Sequence, residues 1–93
     1  MQLDDLPNRM PVRYRYEFKS LDARYQYRTS TMQNRFNYEI LKNGFRVFDI
    51  DEDDNVIAVC TIEDVNGERP FYINDGSVFV NNSESSLFIR IPE

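Results

Sequence analysis

The chain has 93 residues, of which 41% are hydrophobic, 14% aromatic and 29% charged, with a formal net charge of −5. A chain of this size buries roughly 60–70% of the surface that its unfolded form exposes, so it reads as a single folded domain over 1–93 rather than a disordered polymer. It contains no histidine, which excludes by counting a His-ligated metal, a Ser-His-Asp triad and a Cys-His pair.

Residues 1–11 lack a clear period and carry Pro7 and Pro11, so they read as an irregular lead-in. Their acidic start and the absence of a long apolar core predict no secretory signal. No run of about 18 apolar residues occurs anywhere, which predicts no membrane span. From Val12 to Lys19 the chain alternates strictly, with Val12, Tyr14, Tyr16 and Phe18 on one side and Arg13, Arg15, Glu17 and Lys19 on the other. Period two over this length is a strand signal. Ala23, Tyr25, Tyr27 and Thr29 alternate in the same way with Arg24, Gln26 and Arg28. The two segments are expected to pair as an antiparallel hairpin through Ser20-Leu21-Asp22, with Glu17 opposite Arg24.

Residues 30–44 carry two patterns. Ser30-Thr31-Met32-Gln33 fits a capping box, Met32, Phe36 and Ile40 form a helical stripe, and Asn43-Gly44 fits a helix end. Phe36, Tyr38 and Ile40 also alternate, and Lys42-Asn43-Gly44 suits a hairpin loop. The stripe is narrow and leaves Leu41 off its face, so strand is preferred and a helix near 30–42 is the alternative. Further on, Phe45–Ile50 reads as a strand and Asp51–Asn55 as a turn. Val56–Ile62, apolar on both faces, reads as a covered central strand. Glu63–Pro70 is a loop around Asn66-Gly67. Phe71–Ile73 and Val78–Val80 flank a turn at 74–77, Asn81–Ser86 is a polar loop, and Leu87–Ile91 is a last strand ended by Pro92. These signals together predict an all-β fold, a small antiparallel barrel or sandwich of about 6–8 short strands. The alternative is α+β with one helix near 30–42.

Charge divides unevenly along the chain. Residues 1–46 hold nine Lys/Arg and five acids, a net +4, whereas residues 47–93 hold two and eleven, a net −9. The densest acids are Asp49, Asp51, Glu52, Asp53 and Asp54. Counted from Asp49 as a calcium loop, the sixth position is Asp54 where Gly is required, and the twelfth is Cys60 where a bidentate Glu is required. No metal site is therefore predicted there, and no cofactor elsewhere. Cys60, the one cysteine, allows no intrachain disulfide, suits a reducing, cytoplasmic setting and sits in the most apolar run, where burial makes a thiol inert. The three glycines all read as turn residues, which leaves no phosphate-cradling loop.

By elimination, the expected function is non-enzymatic: stoichiometric association. An inhibitor or immunity-type protein would use Asp49, Asp51, Glu52, Asp53 and Asp54 to occlude the basic surface of a protein partner. A second reading is a nucleotide or small-ligand binder that uses a tyrosine-rich sheet face, Tyr14, Tyr16, Tyr25 and Tyr27, with Arg24 and Arg28. The net negative charge counts against nucleic acid itself. A third reading is a structural assembly subunit that adds its edge strands to neighbouring subunits, with a homo-oligomer possible.

Overall fold

A computed structural model describes residues 10, 12–73 and 77–92. In chain order they form β1 (Arg15–Phe18), α1 (Leu21–Ser30), α2 (Met32–Leu41), β2 (Phe45–Ile50), β3 (Val56–Thr61), β4 (Phe71–Tyr72) and β5 (Phe88–Ile91), the last preceded by a single 3-10 turn over Ser85–Leu87. The strands make one open antiparallel sheet in the order β4-β3-β2-β1-β5. The fold is α+β, which overturns the all-β expectation and fits its alternative: α2 is the helix near 30–42, and α1 is a second α-helix among the described residues. The sheet neither closes into a barrel nor doubles into a sandwich. The lead-in over 1–11 lies outside the described residues apart from Met10 and, as an exposed turn, Val12 follows it; Met10 is buried in the core. The turn at Asn74-Asp75-Gly76 also lies outside them. Among the described residues no helix is long and apolar enough to cross a membrane.

The expected tyrosine hairpin is where sequence and structure part most sharply. β1 keeps the alternation, with Tyr16 and Phe18 buried and Arg15 and Glu17 half-buried on the other face. Its partners are β2 and β5, not residues 23–31. Those residues are α1. Ser20 caps the helix, its Oγ accepting from Ala23 N at 3.0 Å. Asp22 in the first turn accepts from Gln26 Nε2 at 2.7 Å, and Thr29 is the one β-branched residue in the segment. Ala23 and Tyr27, four apart, face the core. An alternation of tyrosines resembles a strand only when every ring counts as apolar, and a tyrosine is equally at home on a surface.

Thr31 is both the extended end of α1 and the cap of α2, its Oγ1 accepting from Asn34 N at 3.0 Å. The box signal was therefore displaced by one residue. Gly44, at φ 96, ends the helical layer, with its N–H donating to Leu41 O at 3.0 Å. A side chain there would also come within 3.3 Å of Glu17 Cγ.

The helices cover one face of the sheet. Tyr16 and Phe18 of β1, Phe45 and Val47 of β2, Val59 of β3 and Phe88 of β5 are buried there against Tyr27 and Leu41. Phe18 is the hub, with ring centroids 5.4 Å from Tyr27, 5.6 Å from Tyr38 and 4.5 Å from Phe88. β3 is an interior strand between β2 and β4, buried at Val56, Ala58, Val59 and Cys60, but the centre of the sheet is β2 and not, as expected, this apolar run. The β2–β3 register is irregular between Val47 and Ile50. The expected second hairpin is reduced. Phe71-Tyr72 pairs with β3, while Val80 makes an isolated bridge to Val56.

The Tyr27 hydroxyl donates to Phe79 O inside the core. Tyr27→Phe is expected to lower the unfolding free energy by about 1 kcal/mol, since it leaves that carbonyl without this donor. Thr31→Ala, which removes the cap, is expected to cost about 1 kcal/mol as well. Urea denaturation of both variants checks these values.

Candidate functional site

The helical layer presents an unusual outer side. Positions two residues from an inward-facing one lie about 200° round a helix, on the opposite side. Leu21 and Tyr25 stand in that relation to Ala23 and Tyr27 on α1, as Met32 and Phe36 do to Asn34 on α2. Leu21 is 83% exposed, Tyr25 59%, Met32 71% and Phe36 66%. The stripe Met32, Phe36, Ile40 is the sequence signal of this face, yet only Ile40 packs against the core. The true inward stripe of α2 is Asn34, Asn37 and Leu41, with Tyr38 beside it. Two asparagines in an inward stripe hide it from a search for apolar periodicity.

Both buried asparagines are satisfied. Asn34 Nδ2 donates to Tyr27 O at 3.1 Å and to Glu84 Oε2 at 2.7 Å. Asn37 Nδ2 donates to Val78 O at 3.4 Å, and its Oδ1 accepts from Gln33 Nε2 at 3.0 Å. These bonds set the rotation of α2 and so turn Met32 and Phe36 outward.

Arginines accompany the apolar residues. The Arg28 guanidinium lies 5.9 Å from the Tyr25 ring centre and 5.6 Å from that of Tyr38, near one ring of each helix. Arg24 donates from Nη1 to Tyr38 Oη at 3.4 Å and lies 5.8 Å from the Phe18 ring centre. Arg28, Thr29, Thr31, Met32 and Arg35 line a recess of about 590 Å³ at the helix junction. Among the described residues, neither Arg28 nor Arg35 has a carboxylate at ion-pairing distance.

The acidic turn is braced rather than free. Asp51 Oδ1 accepts from Asp53 N at 2.9 Å and Asn55 N at 3.0 Å, and Oδ2 accepts from Asn55 Nδ2 at 3.1 Å. The backbone bond from Asn55, with help from the other donors, holds the Asp51 carboxyl below the usual carboxylate range. Asp49 Oδ1 accepts from Ile50 N at 2.9 Å, and Asp54 adopts the left-handed conformation at φ 63. Asn82 ties the turn to the polar loop, its N–H donating to Asn55 Oδ1 at 2.9 Å and its Nδ2 to Asp53 O at 3.0 Å. Of the five acids, Glu52 and Asp53 are the exposed ones. Among the described residues no group of three Cys, Asp or Glu is arranged to hold a metal ion.

The four tyrosines of the second reading do not share a face. Tyr16 and Tyr27 are in the core, Tyr14 is exposed with the Arg90 guanidinium 4.2 Å from its ring centre, and Tyr25 lies on the helical face. Of that set, the structure brings Tyr25 and Arg28 together at the surface. On the far side of the sheet, Arg13, Arg46, Phe48, Cys60, Asp64 and Gly67 border a cleft of about 460 Å³. Burial pushes the Cys60 thiol up and the Asp64 carboxylate adds to it, which keeps the sulfur protonated at neutral pH.

Comparison with family models, with curated proteins and with solved structures yields no match.

Because the Asp51 carboxyl is lowered by its donors in the folded state, the unfolded chain takes up the proton first as pH falls. The stabilisation is present above about pH 3.9, the unfolded value, and is lost as pH drops through the folded one. Asp51→Ala is therefore expected to melt below the parent at pH 7, with the gap closing in strong acid. Thermal denaturation across a pH series checks this.

Proposed function

We propose that this protein is a non-enzymatic binding domain that acts by stoichiometric association, docking through the outer side of the α1–α2 hairpin. One observation carries the reading: four large apolar side chains, Leu21, Tyr25, Met32 and Phe36, stand out from the helical layer although the same helices have a complete inward face. Apolar side chains left in water on the outward side of each helix cost solvation free energy until a partner covers them, and exposed apolar surface of this kind is what interaction sites use. Tyrosine and arginine, both present here, are the residue types most often found at interface hot spots. A reducing, cytoplasmic setting suits the buried free thiol of Cys60.

The bracing of the acidic turn supports a second reading, an inhibitor or immunity-type protein whose carboxylates occlude a basic partner. Glu52 and Asp53 project from a backbone held by Asp51 and Asn82, so the backbone part of the ordering cost is already met when they engage fixed cations.

Affinity capture from the native host separates the two. On the first reading a partner is retained at one-to-one stoichiometry, is lost on Tyr25→Ser with Phe36→Ser, and persists with Val65→Ser, an exposed apolar residue outside the helices. Retention of that partner by the Tyr25/Phe36 double variant would sink the helical-face reading. Loss on Glu52→Lys with Asp53→Lys, with strong salt dependence, is the expected result of the second.

A further inference from the structure

We infer that the occupant of the helical face is an acidic amphipathic helix of a partner protein, which lays its apolar stripe between α1 and α2 and its carboxylates on Arg28 and Arg35. This rests on the helical-face reading and names its partner chemistry. Within the helical segment the charge is one-sided, and Glu84, which also reaches α2, is bonded to the buried Asn34. Residues 19–42 hold five Lys/Arg and two acids. Both acids are engaged locally: Asp22 accepts from Gln26, and Glu39 pairs with Lys42 at 2.8 Å. Arg28 and Arg35 are left facing the recess without a carboxylate among the described residues. The Arg28 guanidinium also lies 5.9 Å from the Tyr25 ring centre and 5.6 Å from that of Tyr38. A guanidinium at such a surface suits a carboxylate, which it meets through paired N–H donors.

The apolar groups specify the rest of the partner. Leu21 and Tyr25 are four residues apart, as are Met32 and Phe36. Rows at this spacing form the ridges between which another helix packs. A nucleic acid would meet the same arginines, but the chain's net charge of −5 opposes a polyanion, and Leu21 and Met32 offer no ring on which a base could stack.

The test uses the full chain and two synthetic helical peptides that share one leucine stripe, one bearing glutamates and the other lysines on the remaining faces. Fluorescence anisotropy is expected to show saturable one-to-one binding of the glutamate peptide and none of the lysine peptide. Arg35→Glu, alone and with Arg28→Glu, is expected to weaken binding by about tenfold or more, and Phe36→Ser by a similar factor. All these positions are solvent-facing, and circular dichroism verifies that each variant is folded. Equal binding of both peptides, lost on Phe36→Ser and unmoved by the arginine changes, would overturn the acidic-partner inference and leave the apolar face standing. No binding of the glutamate peptide would overturn it too, and the capture experiment then decides separately whether the face is used. Tighter binding of an oligouridylate that depends on Arg28 and Arg35 would replace the protein helix by nucleic acid. Concentration-dependent dimerisation abolished by Phe36→Ser would assign the face to a second copy.

Discussion

A buried polar seam, from Tyr27 through Asn34 and Asn37 to residues 78–84, holds this architecture together. Asn34 bonds the Tyr27 carbonyl and Glu84, Asn37 bonds the Val78 carbonyl, and the Tyr27 hydroxyl bonds the Phe79 carbonyl. Each of these groups is costly to bury alone, and each is satisfied by another in the seam. Mutual satisfaction of this kind admits one helix rotation and few others, because a turn of α2 in either direction would strand both buried amides together. Hydrophobic contacts around Phe18 supply the bulk of the burial, but they are less demanding about orientation than hydrogen bonds are.

The two candidate surfaces follow from that constraint. With Asn34 and Asn37 committed inward, Met32 and Phe36 are committed outward, and the antiparallel return of the chain through Thr31 places Tyr25 and Arg28 beside α2. The loop that receives the seam also carries Asn82, which grips the acidic turn through Asn55 and the Asp53 carbonyl. The helical face and the acidic turn are therefore mounted on one frame.

Strand content was legible where side chains answer to one environment. Phe45–Ile50 and Val56–Thr61 are strands because β-branched and aromatic residues crowd there, and the acidic stretch between them is a turn because Asp51 and Asn55 can bond local backbone. The helix over 32–41 was half legible: its terminal glycine was visible and its capping signal lay one residue off, while its apolar stripe pointed largely to the wrong side. The helix over 21–30 was not legible from periodicity, since Tyr25 and Tyr27 alternate in sequence but part in space, one to solvent and one to the core. The local features that form it, Ser20 as cap and Asp22 in the first turn, are short-range, and the same residue types also suit a turn between strands.

By itself the sequence determined the chemistry on offer: no imidazole, one buried thiol, few glycines, and a basic first half against an acidic second. It also determined most local turns, because capping and turn bonds close within a few residues. Tertiary structure decided which apolar residues are core and which are surface. Burial is a property of the face an element turns toward its neighbours, and here that face is chosen by long-range hydrogen bonds from Asn34 and Asn37 to partners tens of residues away in the chain.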